Sequence, residues 1–191
     1  STILQSLMNF ARTGNHAHAN RYEPVDMQRC VNESINLLSL SDKGMGIHYR
    51  NECPAELTIL GDEQRLVQVF INLVTNARKY CAADQPQLVI SAQVTAQGLV
   101  IDFVDNGHGI DAGSEALIFE KFSRITGEGD GAGLGLAICR EIMCRLGGEI
   151  SFLGNVPGTA FRVQLPQSVL TPPAKDTGPV VGPVVGADTR S

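Results

Sequence analysis

The most regular hydrophobic pattern in the chain runs from about Asp62 to Cys81 and predicts a long helix. At about 100° per residue, its polar side chains fall within an arc of roughly 80°. That polar stripe consists of Arg65, Gln68, Asn72, Asn76 and Lys79. A helix that is apolar over the rest of its circumference is mostly buried, so the stripe is expected to line a cavity. The alternative is a solvated face that carries two incidental asparagines.

The rest of the pattern predicts short strands alternating with helices. Helices are predicted at residues 1–12, from about Asp26 to Leu40, and in "LGLAICREIMCRLGG" at 134–148. The polar stretch 13–24 between the first two is interpreted as a linker. Strands are predicted at "MGIHYRNEC", "LTIL", "QLVISAQVT", "LVIDFV", "EISFLG" and "TAFRVQLP". Together these elements predict an α+β two-layer sandwich, in which helices cover one face of a mixed, mostly antiparallel sheet.

Composition limits the classes of partner. The 191 residues, 43% of them hydrophobic and 18% charged, suffice for one globular domain with extensions. A net charge of −5 disfavours a general nucleic-acid surface or a basic membrane face. Five scattered cysteines without a C-x-x-C pair indicate reduced thiols. With no apolar run long enough to cross a bilayer, we expect a cytoplasmic chain, which is compatible with a piece of a membrane-anchored protein.

The stretch "DNGHGIDAG" at 105–113 follows the apolar run "GLVIDFV" directly. There Asp105 is placed to accept a hydrogen bond from a ligand amino group, while Gly107 and Gly109 let the backbone approach that ligand. Position 112 is Ala and no strand–helix–strand unit follows, so the dinucleotide-binding fingerprint is absent. An ordinary tight turn is the alternative interpretation.

A second glycine-rich stretch, "GAGLGL" at 131–136, stands just before a predicted helix. Free N–H groups and the positive end of the helix dipole favour an anion at such a place. A hinge is the alternative, and the missing G-K-[ST] excludes a Walker A loop. Taken with the helix stripe and Asp105, however, this stretch points to a nucleotide pocket.

Four segments in this order resemble the conserved boxes of sensor histidine kinases. The segment "DEQRLVQVFINLVTNARKYC" resembles their N box, "DNGHGI" their G1 box, "FEKFSR" their F box and "GAGLGLAICREI" their G2 box. "GGEISF" and "GTAFRVQLP" are similar to the closing strands. The resemblance covers residues 22–166 and implies the Bergerat ATP-binding fold, shared with gyrase, MutL and the large heat-shock chaperones, with ATP and Mg²⁺ as cofactors.

The resemblance also implies a role for individual residues. Asn76 corresponds to the Mg²⁺ ligand, Lys79 to a phosphate contact and Asp105 to the acceptor for the adenine amino group. Asn72 and Lys79 are the implied catalytic residues, and Phe119–Gly131 resembles the lid over ATP. The implied nucleotide contacts are Asn72, Asn76, Lys79, Tyr80, Asp105, Gly107, Gly109, Ile110, Arg124, Gly131, Gly133, Leu134, Gly135, Leu136 and Thr159.

One departure from the wider superfamily bears on the reaction. Its ATPases carry a water-activating Glu four residues before the metal-binding Asn, and here that position is Asn72. An amide is no general base at neutral pH, so phosphoryl transfer to an already nucleophilic imidazole is favoured over hydrolysis. A binding-only pseudokinase or regulatory module and a conformational ATPase of the same fold are the alternatives.

The acceptor histidine is expected elsewhere than in this chain. His16 and His18 lie in the linker-like 13–24, outside any H-box context, and His48 is expected to be structural. Residues 1–21 resemble the end of a dimerisation helix and its linker, and 167–191, with "GPVVGPVVG", is interpreted as a flexible tail. The implied partners are the kinase's own dimerisation domain and a response-regulator receiver domain, with a homodimeric full-length protein, no nucleic acid and no direct membrane contact.

Overall fold

The computed structural model describes residues 22–39, 46–120, 134–155 and 157–170. The helix predicted at 1–12, the tail beyond 170 and most of the predicted lid lie outside these ranges. Seven strands are described: β1 (Glu23–Asp26), β2 (His48–Glu52), β3 (Thr58–Gly61), β4 (Gln87–Thr95), β5 (Gly98–Asp105), β6 (Glu149–Asn155) and β7 (Thr159–Pro166). The described helices are α1 (Met27–Ser39), α2 (Glu63–Tyr80), α3 (Gly135–Arg145) and a short 3₁₀ turn at Gln167–Val169.

Five strands form one mixed sheet in the order β2-β4-β5-β7-β6. The first pair, β2 and β4, is parallel, and every other neighbouring pair is antiparallel. The hairpin predicted around Gly98 is present, because β4 and β5 pair from Leu88↔Asp105 to Thr95↔Gly98. The predicted mixed, mostly antiparallel sheet is therefore confirmed.

Two details of the strand prediction are wrong. β3 does not join the large sheet but pairs with β1 in a separate two-stranded sheet. In addition, β1 begins at Glu23, inside the stretch interpreted as a linker. The sequence signal is weak there because β1 has four residues, including Pro24, and only Val25 is buried.

The described helices cover one face of the large sheet. Side chains of β4 and β5 on that face, such as Ile90, Ile101 and Phe103, are at most 2% exposed. On the opposite face Arg162 donates two 2.8 Å hydrogen bonds to Asp102 across β5 and β7. The face under the helices is thus apolar, whereas the other face carries a half-buried ion pair, and the predicted fold class is confirmed.

The central helix α2 forms where the hydrophobic pattern predicted it. Asp62 caps its N-terminus by accepting a hydrogen bond from the Arg65 backbone N–H at 3.2 Å. Its ring Phe70 packs on Phe103 of β5 with the centroids 5.4 Å apart. Burial of each large apolar side chain stabilises the fold by about 1.5–3 kcal/mol. The buried side chains of α2 are Leu66, Val69, Phe70, Leu73, Val74 and Ala77.

The cysteines are free, as the sequence predicted, and four of the five are buried. Burial raises the pKa of Cys30 and Cys139 to about 12 and that of Cys53 to about 11. These thiols are therefore protonated at neutral pH and pack as small apolar side chains. No helix in the described part of the chain is both long and apolar enough to cross a membrane.

Packing continues beyond residue 166, where the tail was predicted to begin. Val169 in the 3₁₀ turn is 6% exposed and belongs to the same core as β3 and β5. Residues 167–170 are thus packed against the domain.

Candidate functional site

Asp105 is the only buried carboxylate besides the helix cap Asp62 among the described residues. It ends β5, is 6% exposed, and its Oδ1 accepts hydrogen bonds from the backbone N–H groups of Gly107 at 2.9 Å and Thr159 at 3.0 Å. Burial raises the pKa of the Asp105 carboxyl above its ordinary value, and the hydrogen bonds from Gly107 and Thr159 offset this only in part. A carboxylate has about four acceptor positions, so it retains capacity for a donor from a ligand.

Glycines around Asp105 serve close packing rather than an ordinary turn. A Cβ on Gly158 would lie 2.4 Å from the Gly107 nitrogen and 2.5 Å from Asp105 Oδ1. A Cβ on Gly107 would lie 3.0 Å from the Cα of Cys81, the residue after α2. The loop that follows β5 therefore packs tightly between the start of β7 and the end of α2. Close packing inside the protein thus accounts for Gly107 and Gly158, and Gly109 has a positive φ of 79°.

Asn106 anchors the same loop from its other side. Its Oδ1 accepts from the Gln87 backbone N–H at 2.8 Å and from the Cys81 thiol at 3.2 Å, while its Nδ2 donates to the Gln85 carbonyl at 2.9 Å. Asn106 thus ties the loop to the first residues of β4 and to the end of α2.

A second group of predicted residues meets where α2 passes the start of α3. Asn72 Nδ2 donates to the Gly135 carbonyl oxygen at 3.3 Å. One turn further into α3, the Cys139 thiol lies 3.7 Å from the Val69 carbonyl oxygen. Leu134, the N-cap residue of α3, makes no side-chain capping bond. The first N–H groups of α3, which suit an anion, therefore lie beside the middle of the polar stripe.

The last turn of α2 links these two groups. Asn76 is half-buried, whereas Lys79 and Tyr80 are exposed, with the Lys79 Nζ 5.7 Å from the centre of the Tyr80 ring. Because the next residue, Cys81, packs on Gly107, this turn ends against the loop after Asp105.

Three other predicted site residues have side chains that pack in or against the hydrophobic core. Leu134 is 2% exposed and packs in the core with the half-buried Leu136, so their side chains fix the start of α3. Ile110 also packs against the core. Arg124, Gly131 and Gly133 lie outside the described residues.

The sequence analysis did not identify three residues that contact the loop, Cys81, Asn155 and Gly158, nor Asn106 within the loop. Gly158 stands next to the predicted Thr159, so the Gly-Thr pair was a usable signal. Asn155 carries no signal in the sequence, because its role depends on a contact with a residue 45 positions earlier.

Comparisons with known proteins agree with this geometry. Residues 61–169, more than half of the chain, match the family described as "Histidine kinase-, DNA gyrase B-, and HSP90-like ATPase". The chain is 35% identical over 169 residues to the sensor protein KdpD of Escherichia coli (strain K12), covering 86% of this chain and 18% of KdpD. It is 30% identical over 203 residues to the signal transduction histidine-protein kinase/phosphatase MprB of Mycobacterium sp. (strain KMS), covering 100% of this chain and 38% of MprB. The chain thus spans less than two fifths of these relatives.

Solved structures show the same fold. Full-length ShkA in complex with AMPPNP superposes with a TM-score of 0.70 at 29% identity, covering 87% of this chain and 36% of ShkA. The mycobacterial sensor histidine kinase MprB superposes with a TM-score of 0.62 at 26% identity, covering 76% of this chain and 97% of that structure. The chain belongs to the histidine kinase-, DNA gyrase B- and HSP90-like ATPase family, and its domain is of the Bergerat type found in sensor histidine kinases.

Proposed function

We propose that this chain is the ATP-binding catalytic part of a two-component sensor histidine kinase. It binds Mg·ATP and transfers the γ-phosphoryl group to a histidine on a dimerisation domain that is not present in this chain. The observation that carries the proposal is the buried Asp105 carboxylate, held by Gly107 and Thr159 beside a loop that leaves no room for side chains.

The base of the nucleotide is assigned to the Asp105 end of the site. The Asp105 carboxylate accepts a hydrogen bond from the adenine amino group, and Gly107, Gly109 and Ile110 lie beneath the ring. A buried acceptor that is matched to the amino group of the base discriminates strongly against bases without that donor. A mismatched base would leave the buried acceptor without a hydrogen bond.

The phosphates are assigned to the stripe of α2 and the start of α3. Asn72 and Gly135 already meet there, and Lys79 and Tyr80 extend from the last turn of α2, about two turns after Asn72. Arg124, Gly131, Gly133, Leu134 and Leu136 are further contacts implied by the family. The first N–H groups of α3 and the Lys79 ammonium favour phosphate oxygens.

Mg²⁺ fits the donor set through the half-buried amide of Asn76. Because Mg²⁺ commonly keeps several waters and binds phosphate oxygens, one protein oxygen suffices. No group of three His, Cys, Asp or Glu side chains that could hold a metal by itself exists among the described residues. When bound, the ion would neutralise charge on the transferring phosphoryl group.

The reaction we propose is transfer rather than hydrolysis. An imidazole nitrogen of the acceptor histidine bonds to the γ-phosphorus while the bond to the bridging oxygen breaks and ADP leaves. Asn72, whose amide donates to Gly135, offers no base to activate water. This disfavours a conformational ATPase, the alternative that needs hydrolysis.

The remaining parts of the proposal concern the full-length protein. It is a homodimer whose partners are its own dimerisation and phosphoacceptor domain and a response-regulator receiver domain. This chain lies in the cytoplasm, which is compatible with a membrane-anchored sensor, and itself contacts neither nucleic acid nor membrane. A binding-only module with the same site is the other alternative.

Incubation of the purified chain with radiolabelled Mg·ATP and the separate dimerisation domain of a related sensor kinase tests the proposal. We expect label on the acceptor histidine, none when that histidine is replaced by Gln, and little phosphate release without the acceptor. Nucleotide binding without transfer would favour the binding-only module, steady-state ATP hydrolysis by the chain alone would favour the ATPase, and no nucleotide binding would exclude all three.

A further inference from the structure

Asn155 stands at the end of β6, and its side chain binds the backbone of the loop after β5. Its Oδ1 accepts from the Ile110 backbone N–H at 2.9 Å, and its Nδ2 donates to the Ile110 carbonyl oxygen, also at 2.9 Å. Two bonds to a single residue fix both the position and the orientation of its backbone, as paired bonds do in an antiparallel ladder.

Gly109 is adapted to this contact. It has a φ of 79°, and a Cβ at this position would lie 2.3 Å from both the Cγ and the Oδ1 of Asn155. The amide of Asn155 therefore lies directly against the Gly109 backbone, and any larger residue at 109 would displace it.

The same hairpin also holds the other end of the loop. The backbone N–H of Gly158 donates to the Asp105 carbonyl at 3.1 Å, and that of Thr159 donates to the Asp105 side chain. The β6–β7 hairpin thus holds residues 105–110 at both ends, at Asp105 by backbone groups and at Ile110 by one side chain.

We propose that Asn155 is a positioning residue for recognition of the nucleotide base. It acts through Ile110, which it holds at a fixed place relative to Asp105. The loop backbone beneath the base therefore stays at a constant distance from the base. The inference rests on the proposed function, because it presupposes that an adenine nucleotide binds beside Asp105. The competing view is that Asn155 only stabilises the hairpin.

Asn51 provides a matched control within the chain. Its amide also bonds backbone groups, accepting from the Cys53 N–H at 3.0 Å and donating to the Gln28 carbonyl at 2.9 Å. It also donates to Asn32 Oδ1 at 2.9 Å, and these bonds join β2 to α1. Asn155→Ala therefore removes amide-to-backbone hydrogen bonds at the loop, and Asn51→Ala removes bonds of the same kind away from the loop.

The experiment compares the wild-type chain with both variants by calorimetric titration of ADP and GDP, thermal unfolding, and hydrogen exchange at the Ile110 amide in the free protein. For Asn155→Ala we expect the Kd for ADP to rise about tenfold, as expected for the loss of roughly one net hydrogen bond or slightly more. The preference for ADP over GDP should shrink and exchange at Ile110 should accelerate. Asn51→Ala should lower the unfolding temperature while both Kd values stay within about twofold of wild type.

Unchanged ADP affinity and unchanged base preference in Asn155→Ala would overturn the inference alone. No ADP binding by the wild-type chain would overturn both it and the proposed function. If Asn155→Ala does not fold, Asn155→Asp replaces it, since it keeps the acceptor for the Ile110 N–H and turns the donor into an oxygen facing the Ile110 carbonyl. Weaker ADP binding is then expected, and wild-type affinity would overturn the inference.

Discussion

The two halves of the candidate site are held together in different ways. Around Asp105, backbone N–H groups and glycines fix the geometry, as the bonds from Gly107 and Thr159 show. Along the last turn of α2, the site consists of long exposed side chains, Lys79 and Tyr80. The half assigned to the base is thus fixed by backbone hydrogen bonds and close packing, whereas the half assigned to the phosphates depends on exposed side chains whose ordering has an entropic cost.

This contrast separates two kinds of effect. Substitutions around Asp105 should weaken the binding of every adenine nucleotide, with or without a metal. Changes along the stripe of α2 should act only when phosphates and Mg²⁺ are present, and should reduce transfer more than affinity.

The largest effect is expected from Asn76→Ala. Loss of the metal ligand should lower the rate of phosphoryl transfer to a supplied dimerisation domain about a hundredfold, since a bound metal stabilises transition-state charge by several kcal/mol. ADP affinity without Mg²⁺ should stay unchanged. Asn36→Ala, at an exposed position of α1 away from the stripe, is the control and should retain the transfer rate. An equal loss of the transfer rate in both variants would contradict the metal assignment.

The second effect is expected from Asp105→Asn. The one amide oxygen would be taken by the Gly107 and Thr159 N–H groups, so the amide nitrogen would face the donor of the base. We expect a loss of about 1–3 kcal/mol in the free energy of ADP binding, both with and without Mg²⁺. Calorimetric titration of ADP measures it, with Asp102→Asn on the same strand as the control. Equal ADP affinity of Asp105→Asn and wild type would refute the base assignment.

A third effect, on stability, is expected from Gly158→Ala. The added Cβ would overlap the Gly107 nitrogen and Asp105 Oδ1, and overpacking of this kind costs about 1–3 kcal/mol. Thermal unfolding measures the loss. Gly46→Ala is the control, because a Cβ there meets nothing within 4 Å. A similar unfolding temperature for both variants would show that the loop tolerates displacement.

The smallest effect concerns the pH dependence of the unliganded fold. Because burial raises the pKa of Asp105, the folded state binds its proton more tightly than the unfolded state does. Its ionisation therefore destabilises the fold as pH rises through the raised pKa. Asp105→Asn should be more stable than wild type at neutral pH, and the difference should vanish below about pH 4, the ordinary range of an aspartate. His108, whose charge lowers the Asp105 pKa, should be replaced by Gln in both proteins as a control. If the stability difference between Asp105→Asn and wild type grew as the pH fell, the raised pKa of Asp105 would be contradicted.

Most of the fold could be predicted because its signals are local. The long helix α2 combines a continuous apolar arc with a capping Asp62, and the β4–β5 hairpin has an apolar run on either side of a glycine. β1 could not be predicted, because its partner strand β3 lies more than 30 residues later and supplies the pairing.

The site divides in the same manner. Asp105 and the Asn72–Asn76 stripe could be proposed as site residues from the sequence, because they fall on a recognisable motif and on one helix face. Asn155 was missed, because only the folded hairpin brings it to Ile110. Residues whose role depends on one long-range side-chain contact leave no periodic trace in a single sequence.

The most direct test follows backbone amide chemical shifts during titration, first with ADP and then with a non-hydrolysable ATP analogue and Mg²⁺. ADP alone should shift Gly107, Ile110 and Thr159, and the Mg²⁺-bound analogue should add shifts at Asn76 and Gly135. Shifts confined to the opposite sheet face, around Asp102 and Arg162, or no saturable shifts at all, would contradict the assignment of a nucleotide to this site.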